Sequence, residues 1–221
     1  MNIFNLSKKF DYDLSKYSIT KQDGIIAMIF WIAYVAILWT NTKIYTLLNI
    51  RDYYFGINSS SFYDWLYIAP YNILLFVGLL IVVKSRKQSL SSIGFNLKTS
   101  GASLLMGLII ATPILLYKIL VEGLFSGVSS ADILWVILYF ATYMLVKEIM
   151  YRGFIQPRVI ALVNNKWIGM AIVAAMFSIL SAHGIRFELE DFIVHFALVY
   201  LYSRHDNFIG SFLVYFAWNI Y

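Results

Sequence analysis

Within the otherwise apolar stretch YMLVKEIMYRGFIQPRV, Tyr143 to Val159, three ionisable residues stand close together: Lys147, Glu148 and Arg152. Glu148 and Arg152 are four residues apart, which stacks them on one face of a helix with the acid on the N-terminal side, the better order for an ion pair. Such a pair reduces the cost of burying each charge, and ionisable groups inside an apolar span are functional suspects by default. The bland alternative is a helix end at an interface, with Lys147 and Arg152 snorkelling to headgroups. Two later segments add polar groups to apolar runs: His183 in AAMFSILSAHG and Asn219 in FLVYFAWNIY. Alone, a histidine at a helix end is a structural residue more often than a ligand, and an asparagine in a membrane helix is commonly interhelical glue.

The elements that must position these groups follow from composition. A chain of 221 residues that is 61% hydrophobic and only 13% charged lies far outside the range of soluble domains. With six Trp, 17 Tyr and 17 Phe to serve lipid and interface, it reads as an integral membrane protein. Apolar runs near residues 24–40, 61–83, 101–120, 132–156, 166–183, 191–203 and 207–221 predict an all-α, polytopic membrane helix bundle of about seven transmembrane helices. The reading divides the chain into a cytoplasmic N-terminal segment, 1–23, N-terminal transmembrane helices, 24–131, and a helical core, 132–221. The first apolar run reads as an uncleaved anchor.

Basic residues set the orientation. One side of the bundle collects Lys8, Lys9, Lys16, Lys21, Lys84, Arg86, Lys87, Lys98, Arg152, Arg158, Lys166 and Arg204, and the other only Lys43, Arg51 and Arg186. The positive-inside rule then makes the N-terminus cytoplasmic and the protein a multi-pass one of the plasma membrane. The net charge of +5 follows from these loops, so nucleic acid is excluded as a partner. With no Cys there is no disulfide framework, thiolate nucleophile or Cys-ligated metal.

The run from Ile133 to Val146 is 14 residues, about 21 Å of helix, too short for a hydrocarbon core of about 30 Å. The helix must continue through the charges. For Glu148 to reach a cavity shared with His183 it must run on toward Val163, with Pro157 as a place to bend. Arg158 is expected at the interface.

Together and in this order, the motifs resemble those of the CPBP family (CAAX prenyl endopeptidase and bacteriocin-processing, also called Abi). Its Glu-Glu-x-x-x-Arg-Gly is matched by Lys147-Glu148-Ile149-Met150-Tyr151-Arg152-Gly153, followed by Phe154-Ile155-Gln156. Its apolar-x-x-x-His is matched by Ile179 to His183, and its His-x-x-x-Asn by Tyr215 to Asn219. The resemblance covers about Asp132 to Tyr221. It implies an intramembrane metalloprotease in which the first glutamate activates water and two histidines and the asparagine gather around metal or water.

Two departures change that implication. Lys147 stands where the first glutamate is expected and Tyr215 where the second histidine is expected. An ammonium offers no lone pair and repels a cation, a neutral phenol is a poor ligand, and a catalytic zinc site has three protein ligands as a rule. Glu148, Arg152, His183 and Asn219 are thus the family-equivalent residues of a degenerate site, His183 being the best candidate ligand if any metal binds. The expected function is that of a pseudoprotease: a membrane partner or regulator of another membrane or cell-envelope protein, a cell-wall enzyme being one example, with membrane lipids around it and no cofactor. The alternative is a metal-dependent intramembrane endopeptidase that holds zinc, with Glu148 as base and His195 supplying the missing imidazole. A serine-lysine pairing of Lys147 with Ser178 or Ser181 has no nucleophile motif behind it.

Overall fold

The computed structural model describes residues 14–47, 61–123, 130–181, 184–185 and 187–219. Its elements are α1 (Lys21–Leu47), α2 (Ser61–Ser85), α3 (Leu97–Leu120) and α4 (Ser130–Glu148), which passes through a π-helical turn (Ile149–Ile155) into α5 (Gln156–Val163). Then follow α6 (Lys166–Ser178), α7 (Leu189–His205) and α8 (Ile209–Asn219). With α4, the π turn and α5 counted as one, seven helices stand among the described residues. The fold is all-helical apart from a two-residue antiparallel pairing of β1 (Leu180–Ser181) with β2 (Gly184–Ile185).

The helix that must run on does so. It continues unbroken from Ser130 to Val163 and ends where Asn164 takes a left-handed conformation, φ 52°. Proline at 157 has no N–H to donate and its ring crowds the carbonyl four residues back. The wider π turn immediately before it accommodates both, and the Gln156 N–H bonds back five residues to the Tyr151 carbonyl. Such single π turns recur at functional sites. Helix starts are fixed by side-chain caps: the Asn96 Oδ1 accepts from the Lys98 N–H at 3.2 Å and the Asn165 Oδ1 from the Ile168 N–H at 3.1 Å, each satisfying a donor with no intrahelical partner.

α3 lies along α8, α2 along α4, α1 along α5, and α6 along α7. The α3–α8 crossing is close because both helices present glycine there. A Cβ on Gly107 would stand 2.7 Å from the Gly210 Cα, and the Gly210 N–H donates to the Ser103 hydroxyl at 2.9 Å. Small residues at a crossing permit this approach of backbones. Among the described residues one helical stretch, Leu90–Leu120, is long and apolar enough by length and composition to cross a membrane, and only 17% of its apolar window is buried. Leu104, Leu105, Leu108, Ile109 and Leu116 face outward from it, as a surface that lipid covers would.

At the polar end of α1, ahead of its apolar run, Asp23 is buried and accepts from Arg86 Nε at 2.7 Å and from the Thr20 N–H and hydroxyl, each at 2.7 Å. Burial pushes its carboxyl up, but these hydrogen bonds and the Arg86 charge outweigh burial and hold it below the usual carboxylate range. A carboxyl lowered by folding adds stability above its unfolded pKa of about 3.9, and that contribution is lost as pH falls through the folded value. The thermal midpoint in detergent should therefore drop below about pH 4 in the native chain and less steeply in Asp23→Asn. Parallel curves for the two would remove the pair from the account.

Candidate functional site

The π turn and the end of α4 aim their polar side chains at α6, α7 and α8. Glu148 and Arg152 are both completely buried, with Arg152 Nη1 3.0 Å from Glu148 Oε1. The contact is an ion pair at that distance without hydrogen-bond alignment. From its other side Arg152 reaches α7, where Nη2 lies 2.6 Å from His195 Nδ1. A guanidinium only donates, so Nδ1 accepts and the imidazole carries its proton on Nε2. One turn further on, Gln156 Nε2 donates to the Val199 carbonyl at 3.0 Å and to the Ser203 hydroxyl at 2.7 Å. Residues 152 and 156 on one helix thus face 195, 199 and 203 on the other, a parallel polar ladder between two otherwise apolar surfaces.

Lys147 does not pair with Glu148. Although it is almost wholly buried, it pairs with no carboxylate among the described residues, and its ammonium sits 4.3 Å from the Tyr143 ring centre and 5.4 Å from that of Phe177. Aromatic faces are the next best partner for a desolvated cation. Phe177 is the hub of the cluster. The Arg152 guanidinium lies 4.4 Å above it, His195 stacks on it with centres 3.6 Å apart, and Tyr215 meets it edge-on at 5.3 Å. Tyr215 also meets His195 edge-on, with centres 5.5 Å apart.

The remaining expected site residues fare differently. Asn219 donates to the Tyr215 carbonyl at 2.9 Å, binding its own helix. His183 lies outside the described residues, between β1 and β2. The Ser178 hydroxyl donates to the Ala175 carbonyl at 3.1 Å. Arg158 corrects the expectation of an interfacial residue: it is 1% exposed. It donates to the Phe154 carbonyl at 2.8 Å, to Gln88 Oε1 and to the Ser92 hydroxyl at 3.4 Å. The cause is a 3-10 turn, Leu90–Ile93, that folds over the π turn and seals it. It comes this close because residue 153 is glycine: a Cβ there would stand 2.2 Å from the Ile93 carbonyl oxygen.

His195 and Gln156 carry more of the site than their motifs alone suggest. The available signal was spacing: His195 and Ser203 lie eight residues apart on one face of α7, as Glu148 and Gln156 do on theirs, and Val199 between them contributes only its backbone carbonyl. The hub role of Phe177 had no signal, because a phenylalanine in an apolar helix looks like any other.

A zinc ion of the kind the family resemblance implies needs neutral imidazoles or free carboxylates. The described residues do not fit one. The carboxylate of Glu148 is bound to Arg152, the free lone pair of His195 is taken by the same guanidinium, and Lys147 adds a second cation. No three His, Asp or Glu side chains converge among the described residues.

The family model described as Type II CAAX prenyl endopeptidase Rce1-like matches residues 129–221, the span from α4 to α8 that builds this cluster. No curated protein and no solved structure matches the chain. The same residues therefore carry the charged turn, the polar ladder and the family match: over residues 129–221 the chain is similar to type II CAAX prenyl endopeptidases of the Rce1-like kind.

Proposed function

We propose that this is a multi-pass membrane protein of the CPBP family that binds and regulates another membrane or cell-envelope protein without cutting it. The observation that carries the reading is the environment of Lys147. Where the family pattern calls for a carboxylate base, an ammonium is packed against the rings of Tyr143 and Phe177, and no base can be made there by small movements. The neighbouring groups support it: Glu148 and His195 are both held by Arg152, so neither lone pair is poised to take a proton from water. The family is membrane-associated, and orientation by basic residues places the N-terminus in the cytoplasm.

A second reading, a metal-dependent endopeptidase, draws on one observation: the His195 ring lies beside Tyr215, where the pattern expects an imidazole. The two separate cleanly. Under the binding reading, protein purified without chelator carries no stoichiometric zinc, its cellular role survives His183→Ala, and it copurifies with an uncleaved membrane or envelope protein. About one zinc per chain that is lost on His183→Ala, together with disappearance of a processed peptide, would move the assignment to the endopeptidase. Lys147→Glu combined with Tyr215→His is the complementary experiment, since it restores the presumed base and ligand.

A further inference from the structure

The segment that seals the π turn has a second side. In the stretch KSRKQSLSSIGFNLK, residues 84–98, Gln88 and Ser92 turn inward to Arg158 and Ile93 lies over Gly153. Residues between and beside them turn outward: Lys84, Lys87 and Lys98 are exposed, as are Leu90 at 56% and Leu97 at 88%. Short turns hold this outer side in place. The Lys87 N–H donates to the Lys84 carbonyl at 3.0 Å and the Phe95 N–H to that of Leu90 at 3.3 Å. Gly94 takes a left-handed φ of 87°, and Phe95 meets Phe208 edge-on with ring centres 4.9 Å apart.

Basic and apolar side chains are interleaved on that side without acid. Arg86 is committed to Asp23, whereas no ion pair joins Lys84, Lys87 or Lys98 to a carboxylate among the described residues. The helical stretch long and apolar enough to cross a membrane begins at Leu90, so the lysines fall at its end, where hydrocarbon gives way to headgroups. Leu97, Leu104 and Leu108, spaced by seven and four residues, share one face of α3, and all three are exposed. The outer side of the segment thus continues the surface that lipid covers. Lysines beside outward apolar residues at a membrane boundary are the pattern that engages anionic headgroups.

We propose that the outer side of residues 84–98 binds anionic phospholipid headgroups, with Leu90 and Leu97 in the leaflet and Lys84, Lys87 and Lys98 on the phosphates, and that this contact holds the seal over the π turn. The occupant is a lipid and not a soluble phosphate, because a soluble anion would leave both leucines in water. It is not an acidic protein segment, because such a segment would have to displace the lipid that covers the rest of the α3 face. The inference rests on the reading of the chain as a membrane protein and not on its regulating a partner.

The sequence has no Cys, so one introduced cysteine takes an environment-sensitive dye at a single place. Leu97→Cys and a reference, Leu74→Cys on the outer face of α2 and 70% exposed in the native chain, are labelled in the full chain and reconstituted in nanodiscs of equal phosphatidylglycerol and phosphatidylcholine. Both dyes should report apolar surroundings. Spin-labelled phosphatidylglycerol should quench the dye at 97 about fivefold more effectively than spin-labelled phosphatidylcholine, the weight of one lysine near an anionic surface. The dye at 74, ten residues before Lys84, should show no preference. Combining Lys84→Gln, Lys87→Gln and Lys98→Gln should abolish the preference at 97. Amide exchange of the π turn should be slower with phosphatidylglycerol than without it in the native chain, and independent of it in that triple variant. Should labelled Leu97→Cys fail to fold, Ser89→Cys carries the dye on the same outer side. Equal quenching by the two lipids, a preference that survives the triple variant, or exchange indifferent to the lipid would overturn the proposal. So would a dye in water at 97 but in an apolar surrounding at 74, or displacement of the lipid by glycerol phosphate or polyglutamate at equal concentration. Dyes in water at both positions would overturn the membrane reading itself, and the proposal with it.

Discussion

Arg152→Ala should cost about 3 to 5 kcal/mol of stability, the largest loss of any single truncation in the C-terminal helices. The side chain is fully buried and serves two partners on different helices, the Glu148 carboxylate at 3.0 Å and His195 Nδ1 at 2.6 Å. Its removal strands a charge and an acceptor at once. Glu148→Ala strands only the guanidinium, which keeps its bond to His195, so its effect should fall at or below that of Arg152→Ala. Replacing both with apolar residues of similar size, Glu148→Leu with Arg152→Met, should recover most of the loss. What remains is the unpaired imidazole nitrogen, about 1 to 3 kcal/mol. The comparison with Arg158 differs from what an interfacial arginine would give. Buried on Phe154, Gln88 and Ser92, Arg158→Ala should also destabilise, though by less, since no opposite charge is stranded. Thermal midpoints in detergent read all four variants. Equal and small shifts for Glu148→Ala and Arg152→Ala would mean that the pair is hydrated and the turn open to water.

Much of this arrangement was legible in the residues. The spacing of Glu148 and Arg152 predicted their pairing, and the shortness of the apolar run before them required the helix to continue, as it does to Val163. The all-helical class followed from apolar runs, which are a local signal. What the sequence concealed is non-local. Lys147 and Glu148 are neighbours in sequence, yet adjacent residues point about 100° apart on a helix, and the lysine meets rings from its own helix and from α6. His195 stood in the sequence as a remote substitute for a missing ligand. Its actual place beside Arg152, stacked on Phe177, depends on how α6 and α7 pack, which no spacing within either helix reveals. Arg158 was misplaced for a related reason. An arginine after an apolar run reads as an interface residue, and only the 3-10 turn folding back over it makes the position interior.

That turn also sets the second large effect. Gly153→Val should destabilise the protein by about 3 kcal/mol or more, at the upper end of what overpacking costs, and Gly153→Ala should already lose a good part of it. A Cβ built on residue 153 would lie 2.2 Å from the Ile93 carbonyl oxygen and 2.8 Å from its carbon. Both are backbone atoms, so no rotamer change relieves the clash and one of two segments must move. On one side the 3-10 turn Leu90–Ile93 would lift, taking Ser92 and its contact to Arg158 with it. On the other the π turn would shift, and with it the register of Arg152 against His195. Gly101, in the exposed first part of α3, supplies the control, since a Cβ there would meet nothing within 4 Å. Helix propensity favours alanine over glycine by about 1 kcal/mol, so Gly101→Ala should stabilise slightly while Gly153→Ala does the opposite. The two substitutions are chemically identical and both lie within helix, so the difference in their signs isolates the close approach. A neutral or stabilising Gly153→Ala would mean that Ile93 does not seal the π turn, and the burial of Arg158 beneath it would then lose its support.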